Sequence, residues 1–310
     1  MIVLGGSAGG IQSLCKVIEG LPPDLPAALL AVIHMFEGGS HLSQVLQRCG
    51  SIQVVVPDPA EPVAAGRLYL PLPNHHLVVR DGCVATATGP RESRHRPSVN
   101  TLFRCVARAY RGDVIGVILS GALDDGATGV MAIKARGGVV IIEDPATAEV
   151  PEMPSNAMRA VQPDYCLPVE EIPAVLARLV SNGHSIRRKK MRSGQHKCAA
   201  SARPVDRIIE PQGITCPECD GFLARIGKGR NQQFRCHVGH TFSLESLTEG
   251  HADALERALW VSLRKLNEQQ AIQQNLALVQ TDPRMKKRFI ENAAAAKDDM
   301  EKLQEILSRL

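Results

Sequence analysis

The chain has 310 residues, a formal net charge of +4, 44% hydrophobic residues and 3% aromatic ones. That length predicts roughly two domains with aliphatic cores. The slight charge argues against a nucleic-acid partner, and the lack of any apolar run of about 18 residues argues against membrane insertion. Nine cysteines, an odd count without a disulfide-scaffold pattern, fit a cytoplasmic protein, with Cys15, Cys49, Cys83, Cys105 and Cys166 as core thiols.

The first apolar run, Ile2-Val3-Leu4, leads into Gly5-Gly6-Ser7-Ala8-Gly9-Gly10 and then into apolar residues at helical spacing (Ile11, Leu14, Cys15, Ile18). This reads as strand, sharp turn and helix, with Ser7 as candidate nucleophile at the elbow and oxyanion donors among the nearby backbone N–H groups. A phosphate-binding glycine loop is the competing reading; it lacks the P-loop lysine and the dinucleotide glycine spacing. Ala27 to Ile33 is a buried-strand run that delivers His34 at its carboxyl end. Short strand-like runs follow at Val54-Val55-Val56, Arg67 to Leu70, His76 to Val79 and Val84 to Thr86, with the hairpin signal Asp81-Gly82. His75 and His76 read as structural.

Val99 to Ala109 reads as a helix and Val114 to Leu119 as another buried strand, leading into Ser120-Gly121-Ala122-Leu123-Asp124-Asp125-Gly126. A helix over 127–135, a strand over 139–142 and a helix over 170–180 complete the alternation. The pattern predicts an α/β fold: a doubly wound, mostly parallel sheet with an antiparallel edge hairpin. Such sheets bind ligands outside the carboxyl ends of their strands. Ser7, His34 and the Asp124/Asp125 pair would therefore converge there, as a Ser-His-Asp hydrolase requires.

Five ordered stretches carry a family resemblance: Gly5 to Gly10, Ile33-His34-Met35, His95-Arg96-Pro97-Ser98-Val99, Val117 to Gly121 with Asp125-Gly126-Ala127, and Met153-Pro154. Over residues 1–180 the chain resembles the catalytic domain of the chemotaxis protein-glutamate methylesterases, the CheB family. The resemblance implies Ser7, His34 and Asp125 as the catalytic triad. It implies hydrolysis of glutamyl methyl esters on chemoreceptor helices, in some members also glutamine deamidation, without a catalytic cofactor. Ala8, Met35, His95, Arg96, Gly121 and Ala122 are expected to line the site. Ala8, Ala122 and Asn100 stand where the family often has threonine, methionine and aspartate. The chain opens on the first catalytic strand, so a phosphoacceptor receiver domain is not expected. The alternative is a catalytically weak scaffold of the same fold that binds a receptor or signalling protein.

Residues 181–213 lose apolar periodicity and hold Arg187-Arg188-Lys189-Lys190, Arg192, Lys197 and Arg203, which reads as a basic flexible linker. Cys216-Pro217-Glu218-Cys219, sixteen further residues, and Cys236-His237-Val238-Gly239-His240 form a C-x2-C…C-x3-H pattern. It predicts a structural Zn²⁺ site of Cys216, Cys219, Cys236 and His240, with His237 the alternate fourth ligand, in a zinc-ribbon-like module over 214–243. Thr215 to about Leu266 also resembles a zinc-ribbon segment found after methylesterase domains in orphan homologues. Leu255, Leu259, Leu263 and Leu266 form a helical stripe. Thr281-Asp282-Pro283 breaks that helix, and Met300, Leu303, Leu307 and Leu310 continue a second one. Residues 244–310 therefore read as a helical hairpin, either an antiparallel pair with its own core or half of a bundle that a second subunit completes in a homodimer.

Overall fold

A computed structural model describes residues 1–34, 41–57, 61–181, 213–227 and 232–309. It divides into two compact units, residues 1–246 and 247–310. The first unit runs β1 (Ile2–Gly6), α1 (Gly10–Glu19), β2 (Leu29–Ile33), α2 (Leu42–Cys49), β3 (Gln53–Val55), β4 (Glu61–Pro62), β5 (Arg67–Tyr69), β6 (His76–Arg80) and β7 (Cys83–Ala87). It continues through α3 (Val99–Tyr110), β8 (Ile115–Ile118), α4 (Ala127–Lys134), β9 (Val139–Glu143), α5 (Glu152–Ala160), β10 (Tyr165–Leu167) and α6 (Ile172–Ser181).

The main sheet has seven strands in the order β10-β9-β8-β1-β2-β5-β3. Every pairing in it is parallel. The expected antiparallel hairpin, β6–β7, is present, but it joins β4 in a small sheet of its own rather than extending the main sheet's edge.

Period-two alternation explains why both faces of the main sheet are covered. Ile2, Leu4, Leu29, Ala31, Val117 and Ile141 pack into one core with Leu14, Ile18, Leu46, Ile172 and Leu176 of the helices on that side. Val3, Leu30, Val32, Ile118, Val140 and Ile142 pack into the other, with Leu102, Phe103, Val106, Val130 and Ile133. Each buried Leu or Ile stabilises by roughly 1.5–3 kcal/mol, so aliphatic side chains make up most of both layers, with Tyr69 and Phe103 the buried aromatics of the second. The chain winds outward from β1 through β2, then returns to β8 beside β1 and winds the other way. That reversal opens a crevice at the carboxyl ends of β1 and β8.

The core-thiol expectation is corrected at three of its five cysteines: Cys166 is exposed at the end of the sheet, and the other two are paired. Cys15 of α1 and Cys49 of α2 are joined as a disulfide rather than held as free core thiols. These helices pack side by side, so residues far apart in the chain bring their sulfurs together.

After the linker expectation, which falls almost wholly outside the described residues, come β11 (Leu223–Ile226), β12 (Gln233–Cys236) and β13 (Thr241–Phe242), an antiparallel ribbon. Helix α7 (Leu244–Val279) starts at Ser243 and Ser246, whose hydroxyls each accept the other's backbone N–H at 3.0 Å. In the second unit, α7 and α8 (Pro283–Leu307) form the expected hairpin. Asp282 caps α8 by accepting from the Arg284 N–H at 2.8 Å, with Pro283 at the first helical position. Asn292 and Gln273 bond across the pair at 3.4 Å.

Helix α3 also pins the segment before it. The Arg104 guanidinium clasps the Glu92 carboxylate with both terminal nitrogens, and Thr101 Oγ1 donates to it at 3.0 Å. Glu92 is 8% exposed and Arg104 35%. Replacing Arg104 by Met should leave a buried carboxylate with one weak donor, at a cost of about 3 kcal/mol. Urea unfolding checks this; a loss under about 1 kcal/mol would mean that the pair behaves as a surface bridge.

Candidate active site and metal centre

Register brings Ser7 and His34 together. Strands β1 and β2 pair in parallel with Gly6 opposite Ile33, so each chain delivers its next residue side by side. The His34 N–H donates to the Gly6 carbonyl at 3.2 Å and the Ser7 N–H to the Ser120 carbonyl at 3.0 Å. Since both N–H groups are occupied, the oxyanion donors expected near Ser7 and His34 are not these two amides.

The elbow is locked from beneath. Ser120 Oγ donates to the Ala8 carbonyl at 2.8 Å and accepts from the Val150 N–H at 2.9 Å. Glu143, 2% exposed, accepts from the Ser120 N–H at 2.7 Å and from Ser13 Oγ at 3.1 Å. Burial raises the Glu143 pKa, against these two bonds. Gly121 allows the close approach: a Cβ there would lie 2.2 Å from Met153 Sδ and 2.9 Å from Ser7 Cβ.

Asp125 is the buried anchor, and of the Asp124/Asp125 pair it is the one that meets the His34 ring. Its Oδ1 accepts from Ser98 Oγ at 3.0 Å and the Asn100 N–H at 2.9 Å. Its Oδ2 accepts from the Val99 N–H at 2.7 Å and lies 2.8 Å from His34 Nε2. The carboxylate thus sits on the amino end of α3, where free N–H groups and the helix dipole favour negative charge. Burial alone would raise its pKa. The bond to His34 and the Asn100 amide outweigh burial and hold it below the ordinary carboxylate range.

The His34 ring is 6% exposed at its side chain. With Nε2 on Asp125, its Nδ1 is buried and has no hydrogen-bond partner among the described residues. His95 lies flat on this ring, 3.6 Å between centroids and 11° between planes. Burial, then the neighbouring His34, push the His95 pKa down to about 3, so the stacked ring is neutral.

The other expected lining residues divide. Gly121 lies against Ser7 and His95 against the His34 ring; Ala8 is exposed at the elbow and Ala122 half-buried in the loop after β8. Arg96 instead ties loops together, donating to Asn74 Oδ1 at 2.9 Å and the Gly89 carbonyl at 2.7 Å. Met35 lies outside the described residues. His76 is structural: its Nδ1 accepts from the Ser98 N–H at 3.2 Å, while Nε2 meets the Pro90 carbonyl at 3.0 Å. Sequence reasoning missed Ser98 and Asn100 as partners of Asp125. Asn100 Oδ1 accepts from the Gly126 and Gly129 N–H groups at 3.0 and 2.8 Å, so the amide oxygen does what an aspartate there would do.

In the ribbon, Cys216, Cys219, Cys236 and His240 gather their ligand atoms within 4.8 Å of one another. Cys219 and Cys236 sulfurs are 3.6 Å apart; His240 Nδ1 is 3.6 Å from the Cys216 sulfur and 3.5 Å from that of Cys236. A tetrahedron with Zn–S of about 2.3 Å and Zn–N of about 2.0 Å has edges of roughly 3.4–3.8 Å, so the donor set fits. His237, the alternate ligand, is not in this group; its exposed ring packs at Gly221.

Known proteins resemble this chain in sequence and in fold. The family model described as CheB methylesterase matches residues 2–176. A Leptospira interrogans protein, provisionally named protein-glutamate methylesterase/protein-glutamine glutaminase, is 34% identical over 183 residues, covering 58% of this chain and 95% of that one. Protein-glutamate methylesterase/protein-glutamine glutaminase 2 of Anaeromyxobacter dehalogenans is 36% identical over 180 residues, of which this chain spans only 53% of the relative's length. The crystal structure of the Thermotoga maritima CheB methylesterase catalytic domain superposes with a TM-score of 0.55 at 33% identity, covering 58% of this chain and 97% of that one. With the matched family spanning most of the first unit, the chain belongs to the CheB methylesterase family.

Proposed function

We propose that the chain is a serine hydrolase that removes methyl groups from glutamyl methyl esters on the cytoplasmic helices of chemoreceptors, and deamidates glutamines by the same chemistry. Ser7 is the nucleophile, His34 the general base and Asp125 the residue that orients and stabilises the imidazole. The observation that carries this reading is the state of His34: one nitrogen on a buried carboxylate, the other unpartnered, beside Ser7 in the strand register.

In this reading Asp125 fixes the tautomer with the proton on Nε2, leaving the Nδ1 lone pair to accept the Ser7 proton. Ser7 Oγ attacks the ester carbonyl, and the next N–H groups along the elbow, beginning with Ala8, take the oxyanion. Such a donor is typically worth about 3 kcal/mol. Protonated His34 gives its proton to the departing methoxide, releasing methanol. Water, deprotonated by His34, then hydrolyses the acyl-enzyme and frees Ser7. Neutral His95 covers one face of the ring that becomes cationic, and Gly121 and Met153 wall the serine.

We also assign a structural Zn²⁺ to Cys216, Cys219, Cys236 and His240; bound there, it would cross-link the two knuckles of the ribbon. The division follows as catalytic domain 1–180, basic linker 181–213, ribbon 214–243 and helical hairpin 244–310. A cytoplasmic site of action fits the substrate, and among the described residues no helix is long and apolar enough to cross a membrane. Exposed Leu255, Trp260, Val261 and Ile272 on α7 support a homodimer through the C-terminal helices.

Methanol release from methyl-esterified receptor fragments should fall by about ten-thousand-fold in Ser7→Ala and in Asp125→Asn, with folding preserved. No release from the unmodified chain, folded and zinc-loaded, would favour the scaffold reading instead. Metal analysis should find one zinc per chain, lost in Cys216→Ser together with the ribbon's resistance to proteolysis; an equal zinc content in that variant would refute the ligand set. Light scattering on the full chain should give twice the monomer mass, and a monomer at all concentrations would remove the dimer.

A further inference from the structure

The ribbon does not stand apart from the catalytic residues. The Ser93 N–H donates to the Thr241 carbonyl at 2.7 Å, the Thr241 N–H reaches the Arg91 carbonyl at 3.4 Å, and Glu92 forms a parallel bridge with Thr241. The preceding turn closes on the same segment: a Cβ on Gly239, at φ +107°, would lie 2.8 Å from the Pro90 ring. On the other side, Ser243 and Asp124, the buried neighbour of Asp125, line one pocket, where the Ser243 hydroxyl works against the burial that raises the Asp124 pKa; one Asp124 oxygen is buried without a hydrogen-bond partner among the described residues. The residues just after the metal-binding knuckle therefore grip both arms of the site.

What the first grip holds is strained. Glu92 and His95 exchange backbone bonds at 2.9 and 3.1 Å across a turn whose Ser93 and Arg94 both adopt left-handed conformations, at φ 48° and 67°. Two such non-glycine residues in succession cost of order 1 kcal/mol or more each, and persist only where the surroundings over-determine them. Arg104 and Thr101 hold Glu92 from below; Thr241 holds Ser93 from the ribbon. The product of this turn is His95 lying on the face of His34.

We infer that the Cys/His ribbon is a positioning element of the active site: through Thr241 it keeps the His95 turn stacked on His34, and through Ser243 it steadies the loop that carries Asp125. The inference rests on the triad assignment above and adds to it a coupling between metal occupancy and hydrolysis. Metal binding orders the ribbon; an ordered β13 supplies the Ser93 acceptor, and the turn then keeps His34 in one rotamer. Loss of the ribbon's order would let His95 swing away and the base wander. Misplacement of a catalytic group by about 1 Å can cost a hundredfold in rate with little effect on substrate binding.

The test uses the full chain as purified, the chelator-stripped chain and two variants, Thr241→Pro and Ser243→Ala. Hydrogen exchange is followed over residues 90–96, and kcat and KM are measured separately on the methylated receptor fragment. Stripping the metal, and Thr241→Pro with its zinc retained, should raise exchange over 90–96 and lower kcat ten- to a hundredfold while KM stays within about twofold. Ser243→Ala should lower kcat in the same manner without loss of zinc. Added zinc should restore the stripped chain but neither variant. Unchanged exchange over 90–96 in both the stripped chain and the zinc-retaining variants would overturn the inference, and so would a change confined to KM. If the chain shows no hydrolysis at all, the triad reading fails, and the exchange arm still decides whether the ribbon holds the turn. If no zinc is bound, the two variants decide the coupling alone.

Discussion

The site depends on one buried carboxylate. Asp125 is 1% exposed and accepts four hydrogen bonds, from Ser98, Val99, Asn100 and His34. An ionised carboxylate in such surroundings is tolerable only because each oxygen is satisfied twice and a helix amino terminus faces it. In holding that charge, Asp125 ties three parts of the chain to one point: the end of β2 with His34, the start of α3, and the loop after β8. Removing any of those donors weakens the compensation of a buried charge, so stability and the orientation of His34 are properties of the same contact.

The fold supplies the setting. Parallel strands point their carboxyl ends one way, and the order reverses at β1, so the ends of β1, β2 and β8 share one crevice. Ser7 and His34 arrive there by register alone. Glu143 and Ser120 then fix the elbow, with Ser120 bridging Ala8 to Val150. The bonds that place Ser7 therefore come from β8, β9 and the segment before α5, the half of the sheet laid down after the chain turns back.

Much of this was legible in the sequence, for a physical reason. Buried parallel strands are short apolar runs, and glycines around Ser7 mark a backbone that must turn sharply, so the strand–elbow–helix and the carboxyl-end placement of His34 could be read directly. Local turn chemistry likewise gave the hairpin at Asp81-Gly82 and the break at Asp282-Pro283. The residues alone did not choose between Asp124 and Asp125; the family resemblance chose Asp125, and the structure separates them by burial and by partner. Ser98 and Asn100 gave no warning, since their bonds to Asp125 span 27 and 25 positions and leave no local pattern. The Cys15–Cys49 bridge and the Glu92–Arg104 pair are hidden for the same reason. Arg96 carries a motif position yet serves loop packing, which spacing cannot reveal. The C-x2-C…C-x3-H pattern gave the ligand group, but the contact of Thr241 with the 91–93 segment is tertiary and has no sequence signature.

The central claim is that Asp125 and His34 together leave a free ring nitrogen to activate Ser7. Covalent labelling by a small fluorophosphonate, with the modified peptide mapped by mass spectrometry, tests it most directly. The account predicts one label per chain, on Ser7, formed rapidly in the native protein and slowed by several hundredfold or more in a folded His34→Ala variant. Labelling at another serine, or equal labelling of Ser7 without His34, would contradict it.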